Sequence, residues 1–120
     1  MNDTVPSHRL NLRKPYLKLI ADGIKTVEVR VGYPRMRKIQ VGHELTFVSG
    51  DDTVVTRVKR VTEYESFEAM LDHEDAVAIG GDLGESRDEL LAVIREIYPP
   101  GKEKLGVLAM QIERLRTTRE

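Results

Sequence analysis

The sequence predicts an α+β fold, in which five to six short strands form a small barrel or strongly curved sheet with helices packed on the outside. Two observations predict this class. Short segments with alternating polar and apolar residues recur along the chain, and turns rich in glycine and aspartate separate them. Stretches with apolar residues at helical spacing are few, which is typical of a curved sheet flanked by helices.

The amino-terminal third predicts a strand, a helix and a second strand, in that order. Residues 8–12 alternate polar and apolar side chains, and Pro15 suits the first turn of a helix over 15–22 that ends at Gly23. Residues 25–31 then change to a period of two. We expect the valines of this strand to face the core: Val27, Val29 and Val31.

The middle of the chain predicts a β-hairpin. Turn-forming residues at 49–52 separate a strand over 44–48 from a β-branched run that begins at Thr53. Late in the second strand the apolar residues fall out of phase. We therefore expect a β-bulge near Lys59 or Arg60.

The carboxy-terminal half begins with a predicted short helix and a loop. Ser66 can cap a helix that runs through about Leu71. Residues 72–85 are polar and contain glycine, which predicts a loop before the next helix.

A longer helix and a last strand complete the predicted fold. Ser86 and Glu89 have the spacing of a capping box, and the amphipathic stripe behind them ends at residues 99–101. Apolar residues over 108–112 predict the last strand. The charged tail after Leu115 is expected to fray.

The length predicts one domain over residues 1–120, with its core at about 8–114. The chain has no cysteine, which excludes disulfides, thiolate nucleophiles and cysteine-ligated zinc. No segment approaches the roughly 18 apolar residues that a membrane span requires. We therefore expect a soluble, unprocessed, cytoplasmic protein with neither a membrane nor a disulfide-linked partner.

Positive charge is concentrated at the amino-terminal end of the chain. The whole sequence has 19 Lys and Arg against 20 Asp and Glu, but residues 1–38 hold nine bases and three acids. This balance of +6 indicates a face suited to a polyanion. The alternative is an ordinary solvated surface, since charged patches are common on soluble domains.

The segment from Gly23 to Arg30 has the spacing G-x-K-x-x-E-x-R. A short predicted helix precedes the glycine, and a turn and a strand follow the arginine. With this motif the sequence resembles the ASCH domain family, and the Ile97-Tyr98-Pro99 helix ending and the last strand are similar to the family's carboxy-terminal portion. The resemblance covers roughly residues 8–114.

The resemblance implies a small PUA-like β-barrel with a cleft beside the motif that binds RNA or a nucleotide-like ligand. The strand period adds that Glu28 and Arg30 project from one face, roughly 7 Å apart, while Lys25 enters from the loop end. Lys25 and Arg30 suit phosphate contacts, and Glu28 can accept hydrogen bonds from a base amino group or hold Lys25 in place. The alternative is an exposed strand face on which Glu28 forms an ordinary ion pair.

Other candidate ligand contacts have weaker support from the sequence. Arg35 and Arg37, with Lys38, can widen a basic rim beside the cleft, or belong to a solvated loop. Three tyrosines can stack on a base, although simple packing with the hydroxyl at the edge is the stronger alternative for each: Tyr33, Tyr64 and Tyr98.

The histidines indicate no metal site. His8, His43 and His73 lie far apart and match no metal-ligand spacing, so we interpret them as surface residues. We expect neither a metal nor a cofactor.

The resemblance also implies two enzymatic alternatives. One branch of the family is an amidohydrolase that deacetylates N4-acetylcytidine with a lysine, a threonine nucleophile and a glutamate. Lys25 matches that lysine, but Glu28 stands where the threonine would fall, Thr26 is a displaced hydroxyl, and the glutamate would lie near 82–85. A ribonuclease-like branch would use Lys25 and Glu28 as acid and base. Binding ranks first, because Glu28 replaces the threonine nucleophile of that branch. An activated hydroxyl needs its base within hydrogen-bond reach, and the sequence offers no hydroxyl at that position.

Overall fold

A computed structural model describes residues 4–80 and 86–118. Five strands form one sheet in the order β1-β3-β4-β5-β2, with β1 parallel to β3 and the other pairs antiparallel. The strands are β1 (Ser7–Asn11), β2 (Val27–Val31), β3 (Glu44–Ser49), β4 (Asp52–Tyr64) and β5 (Val107–Thr118). The α-helices of the described residues are α1 (Lys14–Ala21), α2 (Phe67–His73), α3 (Ala76–Gly80) and α4 (Arg87–Ile97).

The sheet curves into a half-barrel, and this α+β architecture confirms the predicted fold class. The barrel is not closed by strand pairing, because β1 and β2 are the two edges of the sheet. A side chain bridges the opening instead: Arg30 Nη2 donates to the Asn11 carbonyl at 2.8 Å. No helix in the described part of the chain is long and apolar enough to cross a membrane.

Apolar side chains pack on both faces of the sheet. On the concave face, Leu108 and Met110 of β5 join a buried cluster with residues of β3, β4 and α1. On the other face, Val107 and Ala109 pack with β2 and with α2, α3 and α4. The alternation along β5 therefore builds two cores from one strand. Glu28 and Arg30 are the cross-strand partners of Met110 and Leu108, so their side chains share the concave face.

The hairpin, the bulge and the caps confirm the corresponding predictions. The β4–β5 register shifts between Val58 and Arg60, which leaves Lys59 as the extra residue. A second shift between Val55 and Thr56 was not predicted. Ser66 accepts a hydrogen bond from the Ala69 amide at 3.0 Å, and Ser86 and Glu89 form the predicted capping box.

Two predictions for the carboxy-terminal half were wrong. The loop expected over 72–85 contains α3, and its remaining residues 81–85 lie outside the described residues. Tertiary contacts explain this helix, because its Ile79 is buried and its Ala78 carbonyl accepts from the Thr26 amide. The tail expected to fray continues β5 to Thr118, because pairing with β4 satisfies its backbone.

Arg37 links the end of β2 to the end of β4 and to the segment just before β5. Its guanidinium donates to the Leu105 carbonyl at 2.6 Å and to both carboxylate oxygens of Glu63 at 2.8 Å. Two glycines make room for it. A Cβ at Gly32 would lie 2.8 Å from Arg37 Nη2, and one at Gly106 would lie 2.6 Å from the same atom.

Gly106→Ala should therefore destabilise the fold. Gly106 has φ +89°, and an added Cβ would lie 2.4 Å from Glu63 Oε2. We expect the free energy of unfolding in urea to fall by about 3 kcal/mol, from backbone strain and overpacking together.

Gly42→Ala is the matched control, because Gly42 has φ +92° and open space around the added Cβ. Its loss should be about 1 kcal/mol, from the backbone alone. Equal losses in the two variants would contradict a role for the packing around Arg37.

Candidate functional site

A cavity of about 430 Å³ opens beside the motif, between the two edges of the sheet. The β1–α1 junction forms one side, β2 forms the floor and α4 forms the other side. This volume lies within the range of small-molecule sites. Much of the wall is apolar and is formed by these residues: Leu12, Val29, Leu90, Val93, Ile94 and Ile97.

Three charged side chains of the motif form the polar floor. Lys25 Nζ lies 3.0 Å from Glu28 Oε1, and Arg30 Nε donates to Glu28 Oε2 at 2.6 Å. Lys25 and Glu28 are each only 4% exposed. The ion pair that the sequence allowed as an alternative is thus present, but it is buried at the cavity and is not on an open strand face. We call these three residues the ion triad.

α3 holds Lys25 in place together with Glu28. The Lys25 ammonium donates to the carbonyls of Ile79 and Val27, each at 2.7 Å. Ile79 lies near the end of α3, where backbone carbonyls have no helical partner. With Glu28 as its third acceptor, the ammonium has all its donors engaged within the protein. The sequence predicts that Lys25 reaches a phosphate, but these contacts leave it no donor for one.

The ion triad keeps Glu28 ionised. Burial alone would raise the pKa of the Glu28 carboxyl, but the charges of Lys25 and Arg30 and their hydrogen bonds lower this pKa below its ordinary value. Each carboxylate oxygen accepts from one of the two cations and retains a lone pair for a further donor. The floor can therefore accept hydrogen bonds from a ligand.

Arg30 links the floor to the opposite edge of the sheet. It donates to Glu28 of its own strand and to the Asn11 carbonyl at the end of β1. These contacts use only part of its N–H donors. The side chain is 17% exposed, so the guanidinium can still contact a ligand.

Two tyrosines and one arginine complete the lining. Tyr16 and Tyr98 contribute from α1 and from the end of α4. The Val31 amide donates to the Tyr98 hydroxyl at 3.4 Å, and burial raises the pKa of Tyr98, so this phenol stays protonated at neutral pH. Arg13 is exposed at the cavity and has no ion pair with any described residue.

The structure brings together three of the residues that the sequence predicted for the site, and it separates the others. Lys25, Glu28 and Arg30 line the cavity, whereas Thr26 does not. Arg35 and Arg37 also lie outside the lining, and Arg37 is engaged by Glu63 and backbone carbonyls.

The predictions for the valines of β2 and for the candidate tyrosines are only partly met. Val27 and Val31 are buried as predicted, but Val29 is only half-buried because the cavity passes beside it. Tyr98 lines the cavity, whereas Tyr64 donates to Glu74 and Tyr33 lies under the Lys102 ammonium: neither of these two is in the lining.

Sequence reasoning missed Arg13 and the apolar face of α4 as parts of the site. Arg13 directly precedes the first turn of α1, and nothing in the local pattern indicates what it faces. For α4 the sequence did contain an indication, because its apolar stripe reaches Ile97. In the structure Ile97 is 48% exposed and lies at the cavity. The amphipathic stripe extends beyond what the core buries.

Two histidines that lie far apart in the sequence are neighbours in the fold. His8 Nε2 and His43 Nδ1 are 3.0 Å apart, and the rings are stacked. Both are partly buried and are therefore not simple surface residues. Within residues 4–80 and 86–118, no group of three or more metal-ligating side chains is present.

Glu28→Gln should remove a pH-dependent part of the stability. Because the folded-state pKa of Glu28 is below the value of about 4.3 of unfolded chains, its contribution is complete above that pH and is lost as the pH falls below it. At pH 7 we expect the variant to lose about 3 kcal/mol of unfolding free energy, because the buried Lys25 and the partly buried Arg30 lose their shared anion. Urea unfolding between pH 3 and 7 measures both effects.

Glu65→Gln is the control, because Glu65 is exposed and forms no ion pair with a described residue. It should change the unfolding free energy at pH 7 by less than about 0.5 kcal/mol. If Glu28→Gln were as mild, the ion triad would contribute no net stability.

Comparisons with known proteins agree with this geometry. A family model of the ASCH domain matches residues 10–115. The crystal structure of hypothetical protein PH0355 superposes with a TM-score of 0.82 at 30% identity, covering 91% of this chain and 99% of that one. The solution NMR structure of protein PF0455 from Pyrococcus furiosus has a TM-score of 0.74 at 32% identity, covering 91% and 97%. A search of curated proteins gives no match.

The family model spans most of the chain, and it includes β2 with the motif, the cavity walls and all but the last residues of β5. The fold is accordingly a small PUA-like one. The chain belongs to the ASCH domain family.

Proposed function

We propose that this protein binds RNA or a nucleotide-like ligand, with a nucleobase in the cavity and a phosphate at its mouth. The observation that carries the proposal is the ionised Glu28 carboxylate, fixed by two cations at the floor of a largely apolar cavity. An apolar cavity with a few oriented polar groups suits a flat heterocycle with a polar edge. Membership of the ASCH family, which is linked generally to RNA binding, supports the same conclusion.

The base end of the ligand would meet the floor and the aromatic walls. Glu28 can accept from an amino or imino group, and the unused N–H groups of Arg30 can donate to a ring nitrogen or carbonyl. Tyr16 and Tyr98 supply aromatic surface for stacking, which is a common means of holding an unpaired base.

The phosphate end would meet Arg13. Five of the nine bases in the amino-terminal third are already paired with described residues: Lys14, Lys18, Lys25, Arg30 and Arg37. Four have no such ion pair: Arg9, Arg13, Arg35 and Lys38. Of these four only Arg13 lies at the cavity, so it replaces Lys25 as the candidate phosphate contact.

The residues that line the cavity and the ionised state of Glu28 argue against hydrolysis. Among the described residues, no serine or threonine lines the cavity, so an acyl-transfer nucleophile of that kind is lacking there. The lowered pKa of Glu28 makes this group a weak base, and its ionisation makes it a poor acid at neutral pH. The candidate glutamate near 82–85 lies outside the described residues.

Replacing Arg13 should weaken RNA binding by removing one phosphate contact. For Arg13→Ala we expect the affinity for a labelled single-stranded RNA to fall, and the slope of log affinity against log salt to fall by about 0.7. Fluorescence anisotropy at several salt concentrations measures both quantities.

Arg9→Ala is the matched control, because Arg9 is an exposed arginine of β1 that does not line the cavity. It should leave the affinity within about twofold and the slope nearly unchanged. If wild-type protein bound no RNA at any salt, or bound it without salt dependence, RNA as the ligand would be ruled out and a small molecule would remain.

The protein should show no turnover of N4-acetylcytidine or of RNA above a protein-free background. The reason is that Glu28 stands where the related amidohydrolases have a hydroxyl, and its carboxylate is held by two cations. Chromatography of the reaction products provides the measurement. Turnover by the wild type that Glu28→Gln lowers by 10²- to 10⁴-fold, with RNA binding retained, would instead identify an enzyme.

A further inference from the structure

Alternate residues of β2 direct their backbone groups to the free edge of the sheet. The Ile112 amide donates to the Thr26 carbonyl, and the Gly32 amide donates to the Gly106 carbonyl. In an antiparallel pair these bonds alternate, so the even-numbered residues of β2 bond to β5. The N–H and C=O groups of Val27, Val29 and Val31 therefore point away from β5, toward the open edge.

Protein groups already occupy the positions on either side of Val29. Lys25 Nζ donates to the Val27 carbonyl at 2.7 Å. The Val31 amide donates to the Tyr98 hydroxyl at 3.4 Å, and the Val31 carbonyl accepts from the Tyr33 amide at 2.8 Å. The Val29 N–H and C=O have no hydrogen-bond partner among the described residues.

The cavity lies across this edge of the strand. Its lining includes Glu28 and Arg30, whose side chains lie on the concave face of the sheet. It also includes Leu90 and Ile94, which pack on the opposite face. Because both faces contribute, the edge between them faces the cavity, and the Val29 backbone groups are directed into it. A strand edge without a partner offers hydrogen bonds that favour a ligand able to complete them.

We propose that the Val29 backbone recognises the ligand by two hydrogen bonds, its N–H donating and its C=O accepting. This inference rests on the proposed function and names the part of the base that is bound. In an antiparallel pair, one residue exchanges both bonds with the residue opposite. A base edge with an N–H next to a carbonyl or ring-nitrogen acceptor presents the same pair of groups. All four bases present such a pair on the Watson–Crick edge, whereas on the Hoogsteen edge only adenine does. We therefore assign the ligand edge as an unblocked Watson–Crick edge.

The gap is too short for an added peptide strand. Strand addition needs several alternate residues with free backbone groups along an edge. Here Lys25 occupies the Val27 carbonyl and Tyr98 occupies the Val31 amide. Among the described residues this leaves Val29 as the residue of β2 with both backbone groups unpartnered, and the Val27 N–H as a single donor. One residue matches one planar group, and the adjacent Glu28 and Tyr98 provide a polar contact and an aromatic wall for it.

The test uses nucleoside monophosphates as probes and NMR as the readout. The four ribonucleoside 5′-monophosphates are titrated into ¹⁵N-labelled protein, and the tightest binder is compared with its analogue methylated on the Watson–Crick nitrogen. We expect the methylated analogue to bind at least about tenfold more weakly. Its methyl group blocks one of the two hydrogen bonds to the Val29 backbone and sterically obstructs the other. The Val29 amide should shift downfield and exchange more slowly with solvent in the complex.

Glu65→Gln is the control variant, because Glu65 is exposed and does not line the cavity. It should retain affinity within about threefold, together with the discrimination against methylation. Binding of the methylated analogue as tightly as its parent, with the Val29 amide unmoved, would overturn this inference and leave the proposed function intact. If neither the monophosphates nor single-stranded RNA bound, both would fail.

Discussion

The Glu28 carboxylate is the group on which the rest of the site depends. Burying a lone carboxylate is costly, and here two cations and their hydrogen bonds offset the cost. Through Lys25 the carboxylate is tied to α3, and through Arg30 it is tied to the end of β1. One buried anion therefore fixes the relative positions of three separate elements, and these elements surround the cavity.

The fold class, the hairpin, the bulge and the helix caps were predictable because each depends on local periodicity or on residues a few positions apart. α3 was not, because its five residues have no helical stripe. The Asp75 side chain caps it by accepting from the Val77 amide, and contacts with Lys25 and Thr26 stabilise it further. Tertiary contacts of this kind override local propensity. Arg37 was misjudged for a similar reason, since its partners Glu63 and Leu105 are distant in the sequence.

The sequence predicts which face of β2 carries the site, but not how deeply the site residues are buried. A period of two shows that Glu28 and Arg30 share a face, and the structure agrees. How these side chains are held depends on distant parts of the chain, since Arg30 donates to Asn11 of β1 and Lys25, beside Glu28, donates to Ile79 of α3. Arg13 could not be found either, because its position at the cavity follows from the meeting of the β1–α1 junction with β2, and no sequence period records that meeting.

The open edge of the half-barrel explains why a cavity exists here at all. If β1 and β2 paired directly, a backbone ladder would fill the gap and satisfy Val29, and no ligand could enter. Instead the Arg30 side chain spans the opening with a single contact to Asn11, and the Lys25 ammonium and the Tyr98 hydroxyl take the backbone groups beside Val29. Since these groups are already held by the protein, little reorganisation is needed when a ligand binds. The contacts that hold Lys25 and Glu28 in place engage every donor of the Lys25 ammonium and lower the pKa of the Glu28 carboxyl. The arrangement therefore suits the proposed recognition better than acid–base chemistry.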